Sequence, residues 1–184
     1  MALPEMYFSV DIEANGPIPG EYSMSSLGCA VVGDAGKTFY AELKPISEKE
    51  VPEAAKVSGL SMAHLKAKGE DPAAAMKKFA EWVRAAAGAT HHPVFVAFNA
   101  TFDWMFVHWY LMKFAGGNPF GISGLDIKAY YMGMTDGTWA ATKKEHVTQK
   151  FPTTQKHTHN ALDDAKEQGE LFAKMREFQK LKRV

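Results

Sequence analysis

Residues 7–16 read YFSVDIEANG, an apolar strand pattern broken by Asp11 and Glu13 on either side of Ile12. Side chains alternate along a strand, so Met6, Phe8, Val10 and Ile12 point to one face and Tyr7, Ser9, Asp11 and Glu13 to the other. The two carboxylates then stand roughly 6–7 Å apart on one side. Ionised on a half-buried face, they repel each other and lose solvation, so they need a cation or a raised pKa. Taken alone, Asp-x-Glu also fits an edge strand carrying two solvated acids.

Outward from this stretch, two further strand patterns follow at 24–33 and 37–45, with a turn expected at the Asp-Ala-Gly of 34–36. Two short helical pieces precede a clear helix at 71–88, with Asp71 as N-cap, Pro72 in the first turn and Gly88 at the end. HPVFVAFN at 92–99 reads as a short buried strand. A strongly apolar helix is expected over 102–115, shorter helical pieces near 125–133 and 139–148, and a last helix over about 160–180. Strands followed by helices and then a further strand predict one α/β domain spanning 1–184, a mixed sheet with helices on both faces.

Composition agrees with that frame. Hydrophobic content of 46% and charged content of 23% suit one compact core in 184 residues. The single cysteine, Cys29, cannot form an intrachain disulfide, and MALPEMYF lacks the basic and long apolar segments of a signal peptide. A soluble cytoplasmic protein is the expectation, with no membrane partner, since no apolar run nears the roughly 18 residues of a span. Lys plus Arg equals Asp plus Glu at 21 each, so any nucleic-acid contact must be local. Local basic stretches exist at Lys143, Lys144, Lys150 and Lys156, and at Lys174, Arg176, Lys180, Lys182 and Arg183. The C-terminal group reads as a solvated helix face and tail, whereas the 143–156 stretch, which runs straight into the segment at 157–172, fits a solvated face or a local contact alike.

Two more segments concentrate chemistry. Asp103 is the only acid between positions 82 and 125 and falls in the first turn of the aromatic helix, where an anion either caps the helix dipole or serves as a metal ligand at the carboxyl end of a strand. The stripe of Phe102, Phe106, Trp109, Tyr110 and Phe114 reads as core packing. In HTHNALDDAKEQGELF, residues 157–172, Asn160 has the character of an N-cap, with Asp163 placed to bond back to the cap amide. His159 and Asp164 would sit about 140° apart on a continuous helix, so they converge only if His159 lies on the preceding loop. His-Thr-His could also be a zinc-binding pair, but no cysteine cluster or third histidine at ligand spacing accompanies it.

Asp11-x-Glu13 with Gly16, then NATFD ending at Asp103, then His159-x-Ala161-x-x-Asp164 resemble, in order and spacing, the three motifs of the DEDDh exonucleases. That family includes RNase T, oligoribonuclease and the proofreading subunits of bacterial replicative polymerases. The resemblance spans about 6–175, and KVSGLS at 56–61 is similar to the family's vHGIt turn, with Ser58 in place of the frequent histidine. It implies an RNase H-like fold and 3′→5′ exonuclease activity with two divalent ions, Mg²⁺ or Mn²⁺. Asp11, Glu13, Asp103 and Asp164 would be the metal ligands and His159 the general base. Four converging carboxylates bring about four negative charges, which two divalent ions balance.

Substrate contacts are less constrained. The loop after Glu13 can bring Asn15 and Gly16 close to a terminal nucleotide, Asn99 adjoins the second motif, and Tyr22, Met24 or Trp104 could stack on a base. Neutral charge and the lack of an accessory binding module favour a short single-stranded 3′ end. The likeness of HNALDDA to RNase T leans towards RNA, with DNA as the alternative. Relatives acting on RNA are often homodimers. Two other classes share the fold: a non-catalytic nucleic-acid- or protein-binding domain, expected to lack some of the five site residues, and an RNase H-like endonuclease, which would not need His159.

Overall fold

The computed structural model describes residues 2–155 and 157–181. A five-stranded sheet in the order β3-β2-β1-β4-β5 organises the chain. Its strands are β1 (Glu5–Ala14), β2 (Met24–Val31), β3 (Asp34–Glu42), β4 (His92–Ala97) and β5 (Leu125–Asp126). β1 runs antiparallel to β2, and β2 antiparallel to β3, while β4 lies parallel to β1 and β5 parallel to β4. The acid-bearing strand is therefore the centre of the sheet, not its edge. The β2–β3 hairpin turns two residues earlier than expected: Val31 pairs with Asp34, and Gly33 takes a left-handed φ of 86°. Asp-Ala-Gly opens β3 instead, because a two-residue loop needs positive φ and Gly33 supplies it without strain.

Seven α-helices among the described residues cover the sheet: α1 (Pro52–Ser58), α2 (Met62–Lys68), α3 (Pro72–Ala87), α4 (Ala100–Tyr110), α5 (Ile127–Thr135), α6 (Lys144–Lys150) and α7 (Ala161–Leu181). Asp71 caps α3 by accepting from the Ala74 amide at 3.0 Å, as its sequence position predicts. One face of the sheet buries Phe8, Val10 and Phe95 against Phe79 of α3 and Phe106 and Tyr110 of α4. The other buries Val96 against Ile127, Val147, Leu171, Phe172 and Met175 from α5, α6 and α7. Each such large apolar side chain contributes about 1.5–3 kcal/mol by leaving water. Helices thus lie on both faces, as the alternation of elements implies.

Two expectations change in detail. The apolar helix ends at Tyr110 and widens into a π-helical turn, Leu111–Ala115, stopped by Gly116 at a φ of 70°. The segment near 125 begins as the two-residue β5 before α5, with Asp126 capping the helix through the Ala129 amide. Two residues are too few to show alternation in sequence. Lys156, Lys182 and Arg183 of the basic stretches lie outside the described residues, whereas Lys174 pairs with Glu170 and Arg176 stacks over Tyr7.

Candidate active site

Asp11 and Glu13 reach the α7 side of β1 near its carboxyl end, and a single glycine brings the third acid to them. Asp11 lies opposite Gly28 of β2, and a Cβ built on Gly28 would fall 2.2 Å from the Ala161 carbonyl. Lacking that atom, β2 lets the first turn of α7 rest directly on the sheet, which sets Asp164 beside Asp11 and Glu13. Carboxylate oxygens of Asp11, Glu13 and Asp164 lie within 4.8 Å of one another. Gln168, one turn beyond Asp164 and buried, fastens this arrangement: its Nε2 donates to the Val10 carbonyl at 2.9 Å and to Asp11 Oδ1 at 3.4 Å, while its Oε1 accepts from the Phe98 amide. Sequence reading passed Gln168 over, although its place four residues after Asp164 was a usable signal.

Asp103 arrives from the opposite side at the start of α4. Its Oδ1 accepts from the amide of Ile12, the residue between the two β1 acids, at 3.0 Å. Asn99 joins β4 to α4 through a left-handed φ of 68°, and Asp126 pins that junction by accepting from the Ala100 amide. Asp103 stands outside the 4.8 Å cluster, yet its charge acts on Asp11. Asp11, Glu13 and Asp103 titrate high. Burial, then repulsion by Asp103, Asp164 and Glu13, holds Asp11 well above the usual carboxylate range, with Lys144 opposing. Burial and Asp164 push Glu13 up to about 7, and burial carries Asp103 to about 8 against the Ile12 hydrogen bond. This donor set, all oxygen and short of compensating charge, fits a hard divalent cation.

His159 lies on the loop before α7, as its convergence with Asp164 requires, in a left-handed conformation with φ of 58°. Asp164 shapes that loop: Oδ1 accepts from the Thr158 amide at 2.8 Å, and Oδ2 from the His159 amide at 3.0 Å and from His157 Nδ1 at 2.9 Å. Asn160 caps α7 through the amides of Leu162 and Asp163. The expected return bond from Asp163 does not form, because Thr158 Oγ1 takes the Asn160 amide. Lys144 of α6 reaches the same neighbourhood, paired with Glu167 of α7, which is 2% exposed, and lying over the Phe98 ring at 5.4 Å.

The substrate-contact candidates divide. Met24 has no exposed surface and its amide donates to the Tyr110 hydroxyl, so it cannot offer a face to a base. Asn15 is likewise interior, its amide bonded to the Ser23 carbonyl and its side chain to Ser25, which makes it a brace for the loop. Gly16 is the floor on which the half-buried Tyr22 ring sits, since a Cβ there would overlap that ring at 2.2 Å. Asn99 is exposed and accepts from Lys128. Trp104 is half-buried, stacks on His108, and lines a groove of about 640 Å³ with Pro19, Met105, Trp109 and Met112.

A sheet of this order with acids converging on its central strand defines a nuclease of the RNase H-like class. The chain belongs to the exonuclease family whose RNase T model matches residues 8–172. It is 44% identical over 168 residues to the 3′-5′ DNA exonuclease Cap18 of Escherichia coli, covering 91% of this chain and 90% of that protein. The nuclease domain of 3′hExo, a DEDDh family member bound to rAMP, superposes with a TM-score of 0.75 at 14% identity, over 95% of this chain and 93% of that one. E. coli exonuclease I in complex with a dT13 oligonucleotide gives 0.67 at 15% identity, over 97% of this chain but 41% of its own. These two show the RNase H-like fold. By family and relative, the chain is a 3′→5′ exonuclease acting on nucleic acid.

Proposed function

We propose that the chain is a single-domain exonuclease that uses two divalent ions, Mg²⁺ or Mn²⁺, to remove nucleoside 5′-monophosphates from the 3′ end of single-stranded DNA. The observation that carries the reading is the convergence of Asp11, Glu13 and Asp164 within 4.8 Å, with Asp103 behind Ile12 and His159 on the adjoining loop. Asp11, Glu13, Asp103 and Asp164 would hold the ions, whose charge supplies the electrostatic stabilisation of a phosphodiester under attack and makes a water acidic enough to ionise near neutral pH. His159, exposed on its loop, takes the proton of the attacking water, the part an imidazole plays as a general base. Asp164 orients that loop by accepting its amides, so the same carboxylate positions the base and faces the acid cluster.

The choice of DNA rests on the relative at 44% identity, which is a DNA exonuclease, and replaces the lean towards RNA drawn from the HNALDDA helix. Matched single-stranded DNA and RNA oligonucleotides, labelled at the 5′ or 3′ end and incubated with Mg²⁺ or Mn²⁺, test both points. Shortening from the 3′ end, faster on DNA and abolished by EDTA, is expected. Cleavage of a circular single strand would refute the exonuclease polarity, and faster RNA shortening would restore RNA as the substrate.

A further inference from the structure

The loop that delivers His159 delivers a second imidazole with it. We propose that His157, His159 and Asp164 form a binding site for a transition-metal ion of the Zn²⁺ type, sharing only Asp164 with the acid cluster and inhibitory when filled. The inhibitory part rests on the reading of His159 as general base. A nitrogen of each ring and a carboxylate oxygen of Asp164 lie within 4.8 Å of one another. His157 Nδ1 is already 2.9 Å from Asp164 Oδ2, and the two rings stand edge to face with centroids 4.4 Å apart. Tetrahedral zinc with bonds near 2.0–2.2 Å separates its ligand atoms by about 3.3 Å. Both imidazoles are exposed, so closing on an ion takes ring rotation and leaves the backbone in place. Asp164 is the ligand that the bare His-Thr-His sequence lacked.

Donor chemistry separates this site from its neighbour. Two imidazoles and one carboxylate suit zinc, cobalt or nickel, whereas Mg²⁺ favours all-oxygen surroundings such as Asp11 and Glu13 provide. The amides of Thr158 and His159 hold the Asp164 carboxylate in orientation, which is the support that ligating groups need. Three protein ligands leave a fourth position to water. Because Asp164 belongs to both clusters, an ion on the imidazole side withdraws both that carboxylate and His159 from hydrolysis.

The test uses the whole chain in excess Mg²⁺, with Zn²⁺ binding followed by calorimetry and Co²⁺ binding by visible absorption. One Co²⁺ per chain, with the intense bands of low coordination number, is expected for the unaltered protein and for Asp11→Asn. His157→Asn should weaken both ions at least about tenfold, in line with loss of a ligand or its support. Measured against its own Mg²⁺-only rate, that variant should need at least about tenfold more Zn²⁺ for inhibition. Should His157→Asn not fold, His159→Asn makes the same binding comparison. Unchanged Zn²⁺ affinity in these variants, or loss of the Co²⁺ bands in Asp11→Asn, would place the ion in the acid cluster and overturn the proposal. Binding with no loss of rate would overturn the inhibitory role. A histidine-dependent Co²⁺ spectrum in a chain that degrades no nucleic acid would instead refute the proposed function and leave the site standing.

Discussion

At the scale of single residues, the neighbouring groups of the third motif separate by what each side chain touches. His159→Ala should lower kcat by about 10²–10⁴, the usual share of general acid–base catalysis, with Mg²⁺ or Mn²⁺ affinity retained in calorimetry. Collapse of that affinity would make His159 a ligand of the acid site instead of its base. Asp163 and Asp164 are adjacent but unlike. Asp163 is half-buried in the first turn of α7 and makes no return bond to the cap, so Asp163→Asn should cost only the dipole contribution, about 0.3–1 kcal/mol, and little activity. Asp164→Asn should remove nearly all turnover. It relieves repulsion on Asp11 and Glu13, yet it also turns one acceptor of the Thr158 and His159 amides into a donor, which leaves a buried N–H unpaired. A lower melting temperature is therefore expected, and melts read beside nuclease rates check it: an inactive Asp163→Asn beside an active Asp164→Asn would reverse the ligand assignment.

At the scale of elements, the contact of α7 with β2 places the site. Gly28→Ala puts a methyl into the backbone of Ala161, so the helix start must lift from the sheet and take Asp164 with it. Overpacking of this kind costs about 1–3 kcal/mol, and the loss of activity should exceed what the melting shift alone explains. Gly133 is the control. It lies within α5 with open space around its Cβ position, and Gly133→Ala should stabilise by about 0.5–1 kcal/mol through helix propensity, at unchanged activity. Full activity in Gly28→Ala would show that the α7 start is not what sets the acid spacing.

At the scale of the whole molecule, clustering carboxylates on the central strand makes stability depend on pH and metal. Glu13 at about 7 and Asp103 at about 8 hold protons in the folded chain that the unfolded chain releases near pH 4. Where the native state binds more protons than the unfolded one, stability falls as pH rises. Metal-free protein in EDTA should therefore lose melting temperature from pH 6 to pH 8, and saturating Mg²⁺ should flatten or reverse that slope by binding the native state alone. A rising profile in EDTA would mean that the acids are not crowded together.

Much of this was legible in the chain itself. Alternation in YFSVDIEANG placed Asp11 and Glu13 on one face because strand geometry has a period of two, and Asp71 with Pro72 marked the start of α3 because capping is a local interaction. The order of the three acid motifs belonged to the sequence for the same reason, each being set within a few residues. Non-local facts were not so readable. That β1 is central, that Gly28 lies opposite Asp11, that Gln168 ties α7 to β1, that Met24 and Asn15 turn inward and that His157 joins Asp164 all follow from pairings between segments far apart in the chain. Local periodicity fixes which way a side chain faces on its own element; only the packing of elements decides what it meets there.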